Sequence, residues 1–261
     1  MKSFTPLLFI TLFTSQSVFA APAPIVSSTL ETASREDHSF GIGGIISVAE
    51  RPFVGVNKQS TSLPYLSYKY KGFYIEGLDV GLNVLNQNRF TLGLLATPRY
   101  YEVEAGFAKN GELEGIDKTN PTYFAGISTQ YNMDIATLTL QVLADTDESS
   151  GTETVLSISK SFKPASSFSF SPSIGLTHQD AALVDHFYGV QSHEAKVDRP
   201  VYQGKASLNY HVSLNASFYI TRYLELLGQI KYEKLGEGIT DSPIVDKDTI
   251  GSATLGAVIR F

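Results

Sequence analysis

The stretch TIGSATLGAVIRF, residues 249–261, decides the fold that the sequence predicts. Its side chains alternate between an apolar face and a face of small or polar residues interrupted by Val258. The members of the apolar face are Ala253, Leu255, Ala257, Ile259 and Phe261. A period of two residues is the geometry of a β-strand, in which successive side chains point to opposite sides. The chain therefore ends as a strand with one apolar face and an aromatic carboxyl-terminal residue.

The same alternation recurs towards the N-terminus. Residues 202–220 alternate apolar and polar side chains without an internal Gly-Pro or Asn-Gly turn signal, and they predict a strand over 206–221 that turns at Arg222 into a strand over 223–234. Residues 73–85 form either one strand or two strands separated near Gly77. The remaining predicted strands cover residues 39–50, 63–71, 90–98, 121–131, 134–145, 152–162 and 168–178. With a break at Gly77, the count is about 12.

The connections between these strands sort by length. Long or medium connections cover residues 51–62, 99–120, 146–151, 179–205 and 235–248, and all of them fall at one end of an up-and-down arrangement. Short turns at one end and longer loops at the other are typical of outer-membrane barrels. We therefore predict an all-β fold, a transmembrane antiparallel up-and-down β-barrel of about 12 strands, in which Phe261 is the assembly signal. The alternative is a soluble β-sandwich or lipocalin-like barrel.

Composition agrees with a barrel and excludes several other classes. The hydrophobic content is 43% and the mean hydropathy is −0.02, as expected when one side of each strand faces lipid and the other a polar lumen. The 14 Tyr and the 12 Phe that lie after residue 20 can supply interfacial aromatic girdles. A net charge of −6 gives no basic footprint for nucleic acid, and the absence of cysteine excludes disulfides and thiolate metal sites.

The N-terminus predicts export. Lys2 precedes a short apolar run over residues 7–13, and Val18-Phe19-Ala20 fits a cleavage site, so residues 1–20 are predicted to be a signal peptide. Residues 21–38 are then an N-terminal periplasmic segment, and residues 39–261 form the barrel. The predicted location is the outer membrane of a Gram-negative cell.

Residues that could carry chemistry form no recognisable site. A histidine and carboxylate cluster offers metal-ligand types, but its spacing matches no defined site. Its members are His178, Asp180, Asp185, His186, His193 and Glu194. Ser192 beside His193, and Ser207 near His211, supply only the residue types of a hydrolase, without a Gly-x-Ser-x-Gly elbow. We predict no catalytic residue, no cofactor, no metal and no enzymatic activity.

Two loop segments resemble the signature of the MipA/OmpV family of outer-membrane proteins. The first is His186-Phe-Tyr-Gly-Val190 and the residues that follow it as far as Tyr202. The second is Asp241-Ser-Pro-Ile-Val245, which follows Leu235-Gly236. The opening Leu63-Pro-Tyr65 and the turn Lys71-Gly-Phe73 are also similar to that family. The signature residues, of unknown role, are Tyr188, Gly189, Val190, Glu194, Ala195, Arg199, Pro200, Tyr202, Asp241, Ser242 and Pro243.

The resemblance implies a non-enzymatic barrel that acts as a scaffold between a murein lytic transglycosylase and a peptidoglycan synthase. Its other expected partners are outer-membrane lipid and the barrel assembly machinery. A different class of function, a small channel for polar solutes, stays open. Both signature segments fall on the outer side, whereas a murein enzyme lies in the periplasm. One hypothesis is that residues 188–202 and 241–245 fold into the lumen as a plug, with Pro200 and Pro243 fixing the path of the chain.

Overall fold

A computed structural model describes residues 38–56, 58–147 and 149–261. The predicted signal peptide, and the predicted periplasmic segment up to residue 37, lie outside the described residues. Strands account for most of the described chain. They are β1 His38–Ala49, β2 Gln59–Tyr70, β3 Phe73–Glu76, β4 Asp79–Gln87, β5 Phe90–Arg99, β6 Thr122–Asn132, β7 Thr137–Asp145, β8 Thr152–Ser159, β9 Phe162–Ala165, β10 Phe168–Gln179, β11 Ser207–Tyr219, β12 Leu224–Lys234 and β13 Thr249–Arg260.

These strands form one closed antiparallel barrel. Consecutive strands pair along the chain, except β8 with β9, and β13 pairs with β1 from Gly41 opposite Arg260 to Ala49 opposite Ser252, which closes the sheet. Both β8 and β9 pair with β10, so together they occupy one strand position of the barrel. The barrel therefore has 12 strand positions, and the predicted fold class is confirmed.

The terminal strand shows why the barrel has two different surfaces. Leu255 is 72% exposed and Ile259 is 47% exposed, whereas Val258 and Thr254 are buried on the opposite face. The exposed apolar face points outwards and can meet lipid, while the other face points into the barrel. The alternation read from residues 249–261 is confirmed.

The break predicted at Gly77 is also confirmed. Strand β3 has four residues and is followed by a turn in which Gly77 adopts a φ of +66°, a conformation that residues with a Cβ rarely adopt. The result is a hairpin of β3 and β4 that is much shorter than its neighbours.

Several predicted boundaries were wrong. Strand β2 begins at Gln59 rather than at residue 63, because its first four residues, Gln-Ser-Thr-Ser, carry no apolar alternation. Strand β8 is continued by β9, which ends at Ala165, so residues 163–165 are strand and not part of the turn predicted to begin at residue 163. Strand β7 begins at Thr137 rather than at residue 134, because residues 133–136 form the turn.

Short helical elements lie in the long connections, where no helix was predicted. They are α1 Ala181–Tyr188, α2 Glu237–Thr240 and a 3-10 turn at Ala105–Phe107. No helix of the described chain is long and apolar enough to cross a membrane. The five long or medium connections share one end of the barrel, as predicted, and the short turns other than residues 77–78 share the other end. We assign the long-loop end to the outside of the cell and the short-turn end to the periplasm.

Candidate functional site

Four outer connections pack together into a compact unit, which we call the cap: residues 50–58, 100–121, 180–206 and 235–248. Its apolar side chains form one buried cluster with inward side chains of the barrel wall. From the cap come Phe53, Leu113, Leu183, Val184, Phe187, Tyr188, Ile239 and Ile244, and from the wall come Leu95, Phe124 and Leu143. Because wall and cap share this core, the cap fills the outer mouth of the barrel.

Helix α1 begins the longest cap segment. Asp180 caps its N-terminus, where the carboxylate accepts a hydrogen bond from the backbone N–H of Leu183 at 2.9 Å. The same carboxylate accepts hydrogen bonds from the backbone N–H and the hydroxyl of Thr152 at 2.8 and 2.7 Å. Burial acts to raise the pKa of Asp180, but these hydrogen bonds outweigh it and lower the pKa below its usual value. The helix is thereby fastened to the start of β8.

Arg199 joins two cap segments. Its guanidinium is buried and donates to the backbone carbonyls of Glu194 at 2.7 Å, Glu112 at 3.1 Å and Glu114 at 2.9 Å. The carboxylate of Glu194 in turn accepts the backbone N–H groups of Asp117 and Gln191, both at 2.6 Å. This pair of signature residues therefore holds residues 100–121 against residues 180–206.

Other signature residues join the remaining segments. The hydroxyl of Ser242 donates to the carbonyl of Tyr188 at 2.5 Å, and the hydroxyl of Tyr202 donates to the carbonyl of Gly238 at 2.7 Å. The Tyr188 ring stacks on Phe53 with centroids 5.6 Å apart, and Val190 bridges Tyr202. The cap is thus one interlocked unit rather than four separate loops.

Not every signature residue is buried within the cap. Ala195 is half-buried and Pro200 is exposed, at a tip where Val197 is fully exposed. Asp241 is exposed and Pro243 is half-buried, while Gly189 ends helix α1. The hypothesis that residues 188–202 lie wholly within the lumen is therefore wrong for this tip. The roles of the signature residues stay predictions.

Buried ionic groups lie at the base of the cap. Arg51 pairs with Glu102, and Arg99 pairs with Glu153 at 2.6 Å. Burial raises the pKa of Glu102 and outweighs the opposing effect of Arg51. The hydroxyl of Tyr101 donates to Glu153 at 2.5 Å. Within each pair, the arginine and the glutamate compensate each other's charge where the cap meets the barrel wall.

Beneath the cap lies a luminal cavity of about 220 Å³. It is bounded by cap residues such as Phe53 and Tyr188 and extends to wall residues Thr137 and Ser159 at the periplasmic ends of their strands. Most of the polar side chains in its wall are uncharged. Because the cap occupies the outer mouth, it covers this cavity on the outer side.

The opposite end of the barrel carries positive charge. Five cationic side chains and one acidic side chain lie at the short-turn end, which gives +4 within residues 71–72, 88–89, 133–136, 160–167 and 220–223; Lys163 is in β9 and the others lie between strands. We call this set the basic rim; it consists of Lys71, Arg89, Lys160, Lys163, Arg222 and Asp134, all exposed. Three of the cations lie over aromatic rings, for example Arg222 at 4.5 Å from the centroid of Tyr223. The whole chain is acidic, so this rim is a local reversal of charge.

The residue types considered for catalysis or metal binding are mostly apart. The hydroxyl of Ser207 donates to Asn209 at 2.9 Å and forms no pair with His211. Of the predicted histidine and carboxylate cluster, only His193 and Glu194 come together, with Asp117 as a third group. The Glu194 oxygens already accept backbone hydrogen bonds, and the side chains of His193 and Asp117 are exposed. This cluster carries no metal assignment.

Comparison with known proteins gives consistent matches over most of the chain. The family described as "MltA-interacting protein MipA" matches residues 42–261. The putative outer membrane protein YiaT of Escherichia coli K12 is 25% identical over 234 residues, which covers 89% of this chain and 94% of YiaT. The MltA-interacting protein of the same organism is 23% identical over 242 residues, which covers 91% of this chain and 96% of that protein.

Solved structures with some similarity include outer-membrane proteins. The N-terminal β-barrel domain of Pseudomonas aeruginosa OprF aligns with a TM-score of 0.32 at 17% identity, covering 68% of this chain and all of that one. A bacterial polysaccharide outer membrane secretin aligns with a TM-score of 0.43 at 7% identity, covering 85% of this chain and 98% of that one. Both scores are low, and the barrel is established by its own strand pairing.

Proposed function

The chain belongs to the MltA-interacting protein MipA family and lies in the outer membrane, and we propose that it is a scaffold that holds cell-wall enzymes against this membrane. The proposed partners are a murein lytic transglycosylase and a peptidoglycan synthase. The name of the relative with 23% identity supports the first of these partners. The barrel acts by binding rather than by catalysis.

The observation that carries the proposal is the contrast between the two ends of the barrel. The cap closes the outer end with a buried core, whereas the basic rim is exposed at the end that faces the periplasm. Murein enzymes are periplasmic, so they can contact only that end. We infer that an acidic surface of the partner binds the basic rim, because opposite potentials steer association and fix orientation.

The proposal is tested by reversing charge at one end of the barrel at a time. One variant carries Lys71→Glu, Lys160→Glu and Arg222→Glu in the basic rim. Its control makes the same change of charge at exposed lysines on the outer side, with Lys58→Glu, Lys109→Glu and Lys196→Glu. Each purified barrel is placed in lipid nanodiscs and titrated with a purified murein lytic transglycosylase.

We expect the rim variant to lose about 1 kcal/mol or more of binding free energy, a five-fold or greater loss of affinity, because repulsion replaces attraction at three positions. The control should bind as the wild type does, and added salt should weaken wild-type binding. Equal affinity of the two variants would refute binding through the rim. No measurable affinity of the wild type for the transglycosylase would refute the scaffold itself.

A further inference from the structure

The short hairpin of β3 and β4 leaves a window in the barrel wall. Strand β2 pairs with β3 only from Ser67 to Tyr70, and β4 and β5 pair only as far as Val80 and Ala96. The edge of β2 over residues 59–65 and the end of β5 therefore face each other, and no strand of the described chain lies between them.

The window has a complete frame. Its floor is the turn at Gly77, whose N–H donates to the carbonyl of Leu66 at 2.8 Å. Its roof is made by two cap segments that meet above it, where Val56 bridges Ala108 and the N–H of Lys109 donates to the carbonyl of Gly55 at 3.3 Å. Its sides are β2 and β5. A framed opening of this kind is a feature of the fold and not a frayed edge.

Backbone polar groups of β2 point into the window. In an antiparallel strand, the N–H and C=O of one residue point to the same side, and alternate residues share that side. The carbonyl of Leu66 points towards β3, so the backbone groups of Ser62 and Ser60 point towards the same side, which is the window. No backbone partner for these two residues on that side occurs in the described chain.

A proline lies on each side of the window. Pro64 shares the orientation of Leu66, so its missing N–H is on the window side of β2. Pro98 of β5 pairs with Tyr123 of β6. The carbonyl of Tyr123 accepts a hydrogen bond from the N–H of Thr146, so it points away from β5. The backbone groups of Pro98 therefore point away from β6 and into the window. Proline cannot donate to a ladder and is found on sheet edges. Both edges are therefore built to stay unpaired, which disfavours both closure and addition of a foreign strand.

The outward-facing side chains of β2 along the window are polar at a depth where those of the neighbouring strand β1 are apolar. Ser62 pairs with Ile46, and Ser60 pairs with Val48, so the members of each pair lie at the same height. Ile46 is 59% exposed on the outward face, as a lipid-facing residue is, whereas its partner is an exposed serine. Unpaired backbone groups are costly in hydrocarbon. The window must therefore hold water or a polar group at the outer end of the apolar belt.

The cavity behind the window is uncharged overall. It reaches Pro98 and Tyr100 beside the window, and its charged lining side chains are three cationic and three acidic: Arg51, Arg99, Lys231, Glu50, Glu153 and Glu233. All are in ion pairs, such as Arg99 with Glu153 at 2.6 Å and Lys231 with Glu233 at 2.8 Å. The rest of the polar lining is hydroxyl and amide groups and the imidazole of His211. Such a surface suits hydroxyl groups better than a phosphate or a carboxylate.

We propose that the window is a hydrated lateral portal through which the uncharged, hydroxyl-rich headgroup of an outer-leaflet amphiphile reaches the luminal cavity. Ser60, Ser62 and their backbone groups supply hydrogen bonds at the entrance, and the alkyl part of the amphiphile stays in the apolar belt. The portal is separate from the basic rim at the other end of the barrel.

The test uses the natural absence of cysteine. Ser62→Cys places a thiol on the rim of the portal, and Ile46→Cys places one at its paired position, at the same depth and on the same outward face. Each variant is reconstituted in phosphatidylcholine nanodiscs and treated with a charged maleimide. We expect labelling at Ser62→Cys to be about ten-fold faster or more, because thiolate formation and a charged reagent both need water. Equal rates would overturn the portal. The thermal unfolding of both variants confirms that the barrel is intact.

The ligand is tested by protection of the same thiol. Nanodiscs containing a monoglucosyl diacylglycerol should slow labelling at Ser62→Cys and leave Ile46→Cys unchanged. Free maltose without glycolipid should give no protection. Protection by maltose alone would identify a soluble sugar and overturn the membrane source, and no protection by either compound would overturn the hydroxyl-rich headgroup.

Discussion

Arg199→Met is the substitution that tests most sharply whether the cap is a single folded unit. The methionine keeps much of the aliphatic length but cannot donate to the three carbonyls, of Glu194, Glu112 and Glu114, that the guanidinium satisfies. If each lost hydrogen bond costs about 1 kcal/mol, the cap loses about 3 kcal/mol. An opening equilibrium then shifts about 100-fold, because about 1.4 kcal/mol corresponds to a factor of ten.

Trypsin digestion of the folded barrel measures that opening. Cleavage at Lys118 and Lys196, which lie on the two segments joined by Arg199, should accelerate about 100-fold when it follows the population of the open cap. Arg89→Met is the matched control, because Arg89 is a half-exposed cation paired with Asp134 at the opposite end. It should leave both cleavage rates unchanged. An acceleration of less than about three-fold in Arg199→Met would show that Arg199 does not hold the two cap segments together.

Three further predictions concern the cap and the terminal strand. The stabilisation of helix α1 by the Asp180 carboxylate is present above the ordinary pKa of an aspartate and is lost as the pH falls through the lowered folded pKa. Pepsin digestion over a series of acidic pH values should therefore show a steep rise for the wild type and a flatter profile for Asp180→Asn. Ile244→Ala leaves a cavity in the buried core and should cost about 2–5 kcal/mol of cap stability, measured by trypsin sensitivity, while barrel heat-stability on gels is unchanged. Deleting Phe261, which is exposed and 5.7 Å from the ring of Phe40, should reduce the amount of barrel in outer-membrane fractions, and normal amounts would contradict its role as assembly signal.

The strands that face lipid could be predicted from the sequence because their two faces meet different surroundings, which makes apolar and polar residues alternate. Residues 249–261 alternate because one face meets hydrocarbon and the other the lumen. The same reasoning missed the first four residues of β2, since Ser60 and Ser62 break the apolar alternation. The structure explains the miss: these serines line a window in the wall, where a polar outward face is needed.

The cap was predicted only in outline. The sequence predicts that the signature segments containing Tyr188 and Ser242 fold inwards, and the Ser242 hydroxyl does donate to the backbone carbonyl of Tyr188. The partners of Arg199 lie 85 and 87 residues away in the sequence, so no local pattern could identify them. Helix α1 has only eight residues, too few for a clear helical period, and the N-cap Asp180 was its main local signal.

Hydrogen–deuterium exchange on the barrel bound to a purified murein lytic transglycosylase tests most directly which end of the molecule the partner contacts. We expect new protection at the basic rim, at residues 71–72, 160–167 and 220–223, and unchanged exchange in cap residues 100–121 and 180–206. Protection confined to the cap, with no change in the rim, would contradict it.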